Sequence, residues 1–138
     1  MQFSVNYTAI LAAAVVNMVL GFLWYGPLFG KPWMKMMGYS KEDMEKAKKS
    51  GMMPKLYVTA LAGAVVMAYV LSHFLQVGGA STATAGATVG FWVWLGFIAT
   101  TTLSGLLWEK KPFNLYLLNN GYYLVLLLVN GALLAVWK

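Results

Sequence analysis

Six polar side chains stand inside otherwise apolar runs: Asn17, Thr100, Ser104, Asn119, Tyr123 and Asn130. Asn119 and Asn130 are eleven positions apart, about three helical turns, so both fall on one helical face. Asn120 is one position round from that face, and Tyr123 lies close to it. A carboxamide in hydrocarbon needs a partner, so these groups should point inward, toward one another or toward Thr100, Thr101, Thr102 and Ser104. Interhelical hydrogen bonds of this kind contribute about 0.6 kcal/mol each. A second reading competes with that structural one: a polar seam along which a small solute is bound or passed.

Other chemistry has little to work with. His73 is the sole His, with no Cys and no nearby carboxylate to complete a zinc or haem-type site within one chain. A structural or rim role is therefore preferred over proton relay. Met34, Met36, Met37, Met44, Met52 and Met53 crowd one segment. Thioethers are soft Cu(I) ligands, but Met is also an adaptable apolar filler suited to a segment lying against headgroups, and that reading is preferred. Glu109 sits beside Lys110 and Lys111, where a surface ion pair is the default. Paired carboxylates, a nucleophile with its base and a phosphate loop are all missing, so the expectation is a protein that is no enzyme and takes no cofactor or metal.

The elements that must position the seam are apolar helices. Of 138 residues, 60% are hydrophobic and 10% charged, against about 45 to 50% and 25% in soluble domains. About 20 apolar residues cross a bilayer, and four such spans, near residues 5–25, 55–76, 85–108 and 115–137, nearly fill a single domain. The first is expected to stop at Gly26-Pro27, where proline removes an amide donor and disfavours helical geometry before it. With no basic segment before it and no small-residue cleavage pattern after it, it reads as a retained span rather than a signal peptide. In the 26–54 connector, Ser40 followed by Asp43 is a capping-box-like helix start, and Glu42 with Lys46 and Glu45 with Lys49 are favourable i,i+4 pairs. Pro54 suits the first turn of the second span.

Charge sets the expected orientation. Nine of the ten lysines and all four acids fall between Lys31 and Lys55 or between Glu109 and Lys111, and Lys-rich short loops remain cytoplasmic. The uncharged 78–84 loop is then translocated and both termini face outward, with Lys138 the one basic side chain on that side. Attraction to anionic headgroups explains the net charge of +6. Arg is absent, so the planar fork that reads phosphate or guanine is missing, and nucleic acid is excluded as a partner. Zero Cys excludes disulfides, thiolate catalysis and iron-sulfur ligation.

Small residues recur at four-residue spacing: Ala9, Ala13, Asn17 and Gly21; Ala60, Ala64, Ala68 and Ser72; Gly86 and Gly90, then Gly96, Thr100 and Ser104. Such faces let helix backbones approach in lipid, within the chain or toward a second copy or another membrane protein. There is also an internal echo. Gly21 to Trp24 resembles Gly105 to Trp108, each followed by a Lys-Pro-aromatic triplet, Lys31-Pro32-Trp33 and Lys111-Pro112-Phe113. Leu56-Tyr57 and Leu115-Tyr116 then open the next spans. The fold class expected is thus an all-α bundle of four transmembrane helices, readable as two parallel helical-hairpin repeats, with a short cytoplasmic helix between spans one and two. Shared anchoring at one interface would also repeat Trp, Lys and Pro.

The run Trp24-Tyr25-Gly26-Pro27-Leu28-Phe29-Gly30-Lys31-Pro32-Trp33-Met34 resembles the signature of a domain-of-unknown-function family of small four-helix bacterial membrane proteins. The stretches from Gly96-Phe97 to Ser104 and Asn119-Asn120-Gly121-Tyr122-Tyr123 are similar to the same family, so the resemblance covers nearly the whole chain. It implies a four-span protein of the bacterial inner membrane and brings no activity. Some members carry His where this chain has Tyr123, a departure that weighs against proton transfer there. The expected partners are the lipid bilayer and, through the small-residue faces, a second copy or another membrane protein. The leading functional expectation is binding or passage of a small solute along the seam; the alternative is an accessory subunit.

Overall fold

Four uninterrupted apolar stretches leave the backbone one way to satisfy itself in lipid, which is to bond along each segment as helix. The computed structural model describes residues 4–137, so Lys138 and the charge expectation attached to it lie outside the described residues. Four helical segments, Tyr7–Leu28, Met53–Val77, Ala83–Leu107 and Phe113–Val136, are long and apolar enough to cross a membrane. The fold is an all-α multi-pass membrane bundle, and strands are absent among the described residues.

Helix α1 covers Tyr7–Leu23, with the Asn6 side chain accepting from the Ala9 N–H at 3.1 Å to cap its first turn. Its inward face is small (Ala9, Ala13 and Ala14, with Ile10) and its outward face is large (Leu11, Val15, Val19 and Phe22). That inversion of soluble packing belongs to a helix whose outer surface meets lipid. The helix does not stop at Gly26-Pro27 as expected. It widens into a π-helical turn, Trp24–Leu28, with the Phe29 N–H donating to the Trp24 carbonyl, five residues back, at 2.9 Å. The wider register absorbs the proline: Pro27 has no N–H to donate, and the extra residue moves its ring off the carbonyl it would meet in an α-turn.

Helix α2 (Gly30–Met37) then folds back, ending at Gly38 with φ of 75°, and α3 (Lys41–Lys49) follows. The capping box at Ser40 is present in full: the Ser40 hydroxyl accepts from the Asp43 N–H at 3.1 Å and the Asp43 carboxylate accepts from the Ser40 N–H at 2.9 Å. Helix α4 is Met53–Val77, with Pro54 in its first turn.

The third span is discontinuous. Helix α5 (Ala83–Val93) opens into a π-helical turn, Trp94–Ala99, and a turn at Thr100 to Thr102 precedes the short α6 (Leu103–Leu107). Helix α7 (Phe113–Val136) returns to the end that carries both termini. The two ends are called here the connector end and the terminal end.

The tightest pairings are α5 with α7 and α1 with α4, the two hairpins, and α7 also packs on α1, α2 and α4. Between α5 and α7 the backbones touch: a Cβ on Gly86 would overlap the Gly131 carbonyl, one on Gly131 the Gly86 carbonyl, and one on Gly90 the Leu127 carbonyl. The Gly86 and Gly90 pair is thus used inside the chain. Helix α4 contributes Ala64, Ala68, Leu71 and Leu75 to the buried core, all from residue 64 onward. From residue 55 to residue 63 every side chain is exposed.

Candidate functional site

The break in the third span builds the site. A π-turn frees carbonyls from the α-helical ladder, and in hydrocarbon each freed carbonyl needs a donor. Three consecutive threonines add side-chain donors along this break, although Ile98 O also keeps the Thr102 N–H at 3.0 Å. Thr100 Oγ1 donates to Gly96 O at 2.6 Å, Thr101 Oγ1 to Phe97 O, and Thr102 Oγ1 to Ile98 O at 2.6 Å. The Tyr116 hydroxyl, arriving from α7, donates to Ala99 O at 2.7 Å. With its proton committed to Ile98, Thr102 Oγ1 receives Asn120 Nδ2 at 3.0 Å, and the same amide also donates to Tyr116 O at 3.0 Å. Asn120 is buried, and these bonds fasten the broken span to α7.

Two indoles fix α7 from either side. Trp24 Nε1 donates to Leu118 O at 3.1 Å and Trp94 Nε1 to Asn120 O at 3.0 Å. Trp24 lies over Gly121, where a Cβ would come within 3.2 Å of its ring. Tyr25 donates its hydroxyl to Asn119 Oδ1 at 2.7 Å, and its ring meets Trp33 and Tyr122 edge-on at 5.5 and 5.3 Å. Gly30 is buried so close to the Tyr25 carbonyl that a Cβ would stand 2.7 Å from its oxygen. The motif from Trp24 to Trp33 therefore clamps α2 and the end of α1 onto α7, while Gly26, Pro27 and Lys31 stay exposed. Trp108, its counterpart in the echo, is 83% exposed; the indole that shares Trp24's role is Trp94.

Between the broken span and α7 lies a cleft of about 310 Å³, whose polar wall includes Thr102, Ser104, Asn119, Asn120 and Tyr123. Glu109 and Lys111 also line it and pair with each other at 3.1 Å. Of the seam residues, Ser104, Asn119 and Tyr123 meet in this cleft. The others are elsewhere. Asn17 accepts the Tyr122 hydroxyl at 2.9 Å on its Oδ1, and Thr100 is exposed and turned to its own helix. Asn130 is 0% exposed with neither side-chain polar atom hydrogen-bonded. Leaving a buried donor or acceptor unpaired costs about 1–3 kcal/mol, so Asn130 weakens the bundle that holds it.

Sequence reading offered Thr102 as one partner for the amides, and Asn120 takes it, but passed over Tyr116, Tyr122 and Trp94 as site-building residues. Three threonines in a row in an apolar span carried the signal for Thr102, because hydroxyls in lipid go to backbone carbonyls. His73 Nδ1 lies 2.8 Å from Tyr69 O, outside the cleft. Groups of three or more potential His, Cys, Asp or Glu metal ligands are absent among the described residues.

A lipid-facing bundle of four spans, one broken beside a polar cleft and all braced on α7, defines a small multi-pass helical membrane protein. The chain belongs to the family described as protein of unknown function DUF1761, whose model matches residues 8–135. That match bears out the resemblance to a family of unknown function. Neither a curated protein nor a solved structure matches the chain.

Proposed function

We propose that the protein is a non-enzymatic membrane protein that binds, and passes, a small polar solute through the connector-end cleft. The observation that carries this reading is the convergence of Ser104, Asn119, Asn120 and Tyr123 on one cleft beside a break in a membrane span. Discontinuous spans place polar backbone and side chains where a solute can replace its hydration shell. The ion-paired Glu109 and Lys111 at this cleft suit a solute that is neutral or carries balanced charge. The Lys distribution supports placing this end in the cytoplasm of a bacterial inner membrane, with both termini outside.

The test is solute flux into proteoliposomes, with glycerol, urea, acetamide and glycine as probes, against empty liposomes and against Ser104→Leu, which fills the cleft without touching the core. Faster flux of at least one probe, reduced several-fold in Ser104→Leu, is expected. Flux indistinguishable from empty liposomes for every probe, with no shift in unfolding temperature on adding them, ends this reading.

One observation favours a second reading, an accessory subunit. The connector half of α4 is exposed from residue 55 to residue 63, with Leu56 and Tyr57 both more than half exposed, and offers Ala60 and Gly63 for close helix approach. Copurification of a membrane partner, lost on Gly63→Leu, would favour it; a clean monomer or homodimer in mild detergent counts against it.

A further inference from the structure

A second cleft opens at the terminal end and holds about 400 Å³. Ser4, Ser72 and Gln76 stand around it, and the nearly inaccessible Ala9, Leu75 and Leu134 form its deepest wall. Gln76 draws this mouth together by accepting from the Ser4 N–H at 2.8 Å and donating to the Ser4 carbonyl at 2.6 Å. Among the described residues the lining carries no ionisable side chain.

Asn130 lies four residues before Leu134 on α7, one helical turn deeper on the same face. Leu127 and Leu134, which flank it on that face, belong to the apolar cluster formed with Ala9, Ala68, Leu71 and Leu75. Asn130 is therefore buried on the α7 face that carries Leu127 and Leu134 into this layer, one turn from the cleft-lining Leu134. Asn17, Asn119 and Asn120 each have a partner, whereas Asn130 holds a donor and an acceptor with none. An amide carries both functions, so what completes it must supply both.

We infer that the terminal-end cleft and Asn130 form a second binding site, for a small uncharged solute bearing a hydrogen-bond donor and an acceptor, admitted when Leu75 and Leu134 part. Below Asn130, Leu126 and Leu127, 1% and 2% exposed, divide it from the Asn17 and Tyr122 pair and close the bundle. This site shares no residue with the connector-end cleft. It goes beyond the solute proposal above and stands or falls separately.

The chain has no Cys, so single thiols can be introduced without background. Iodoacetamide is a fitting probe because it is itself a small uncharged amide; the thiolate sulfur bonds to its methylene carbon, iodide leaves and the thiol proton goes to solvent. Asn130→Cys and Leu126→Cys replace residues that are 0% and 1% exposed, so static packing predicts equal, slow alkylation in proteoliposomes. The site predicts Asn130→Cys reacting at least tenfold faster and slowed by excess acetamide; equal rates overturn it. Asn130→Leu supplies an independent measurement. Removing an unpaired amide should raise the unfolding temperature in detergent, whereas a fall would show the amide holding helices together and overturn the site. Solute flux that persists while Asn130→Cys is unreactive removes this site and leaves the connector-end cleft standing.

Discussion

The two hairpins are joined by different chemistry. In α5 and α7 the backbones themselves are in contact at Gly86, Gly90 and Gly131, whereas α1 and α4 share an apolar cluster of side chains, Ala9, Ile10 and Ala13 with Ala68, Leu71 and Leu75, and residues 55–63 of α4 are exposed. Backbone contact permits no adjustment, because neither partner has a rotamer to change. Side-chain contact with an exposed connector half permits α4 to swing against α1. Both clefts follow from this contrast. The connector-end cleft lies just past the break in the rigid hairpin's own span, between Thr101 to Leu106 and α7. The terminal-end cleft lies where the Leu75 side of α4 meets α1 and α7.

The sharpest way to break the comparison is to add volume to each hairpin. Gly86→Leu must push against the Gly131 backbone and should cost about 3 kcal/mol or more, the upper end of overpacking, or leave no folded protein. Ala64→Val, in the hairpin packed through side chains, should cost about 1 kcal/mol or less, because α4 can shift. Unfolding followed by circular dichroism in detergent measures both; equal losses would end the distinction between a rigid and an adjustable hairpin.

Next in size is the repair of the broken span. Thr102→Val removes the donor to Ile98 O and the acceptor of Asn120 Nδ2 together, which should lower stability by about 1–3 kcal/mol. Thr100→Val, two residues away but exposed and bonded only to its own helix, should change it by less than about 0.5 kcal/mol. If the two variants are equally destabilised, the threonine triplet is serving helix propensity rather than holding the span to α7.

The indoles give a smaller and more symmetric test. Trp24→Phe and Trp94→Phe each delete one hydrogen bond to an α7 carbonyl, worth about 1 kcal/mol. They approach α7 from different hairpins, so the double variant should show additive losses within about 0.5 kcal/mol. Strong coupling would mean that the two halves are braced as one unit.

Hydropathy made the spans legible because it reports transfer into lipid, and that term dominates any segment of this composition. The capping box at Ser40 was legible because its chemistry is local. The rotation of each helix was not. In a span that is apolar all round, the pattern carries almost no phase, so Asn17 could be placed at mid-membrane without revealing Tyr122 as its partner, and Asn119 could not be told from Asn120. The π-turns escaped for a related reason. A Gly-Pro pair reads as a stop in an α-register, and only the three-dimensional course of α1 onto α7 shows that the helix continues in a wider one. The internal echo matched Trp24 to Trp108 by neighbouring letters, while the structure gives the equivalent bond to Trp94 because that residue, not Trp108, faces α7.

The mildest test concerns the connector inside the adjustable hairpin. Helix α3 is held by its own capping box rather than by the bundle, since none of its residues is buried. The Ser40 N–H donating to the Asp43 carboxylate, with Lys46 nearby, holds that carboxyl below its ordinary pKa. A carboxyl depressed on folding stabilises the folded form fully above its unfolded pKa, about 3.9 for Asp, and loses that contribution as pH falls through the lower folded value. The α3 amide resonances in detergent should therefore be unchanged from pH 7 to about 5 and move toward coil values only below about pH 4, with the α5 and α7 resonances unmoved. Ser40→Ala should weaken α3 at every pH but keep the acid step, because its backbone N–H still reaches the carboxylate, whereas Asp43→Asn should remove the step. Coincident loss of α3 and the α5–α7 hairpin would show that the connector is coupled to the rigid hairpin, and the contrast between the two halves would have to be redrawn.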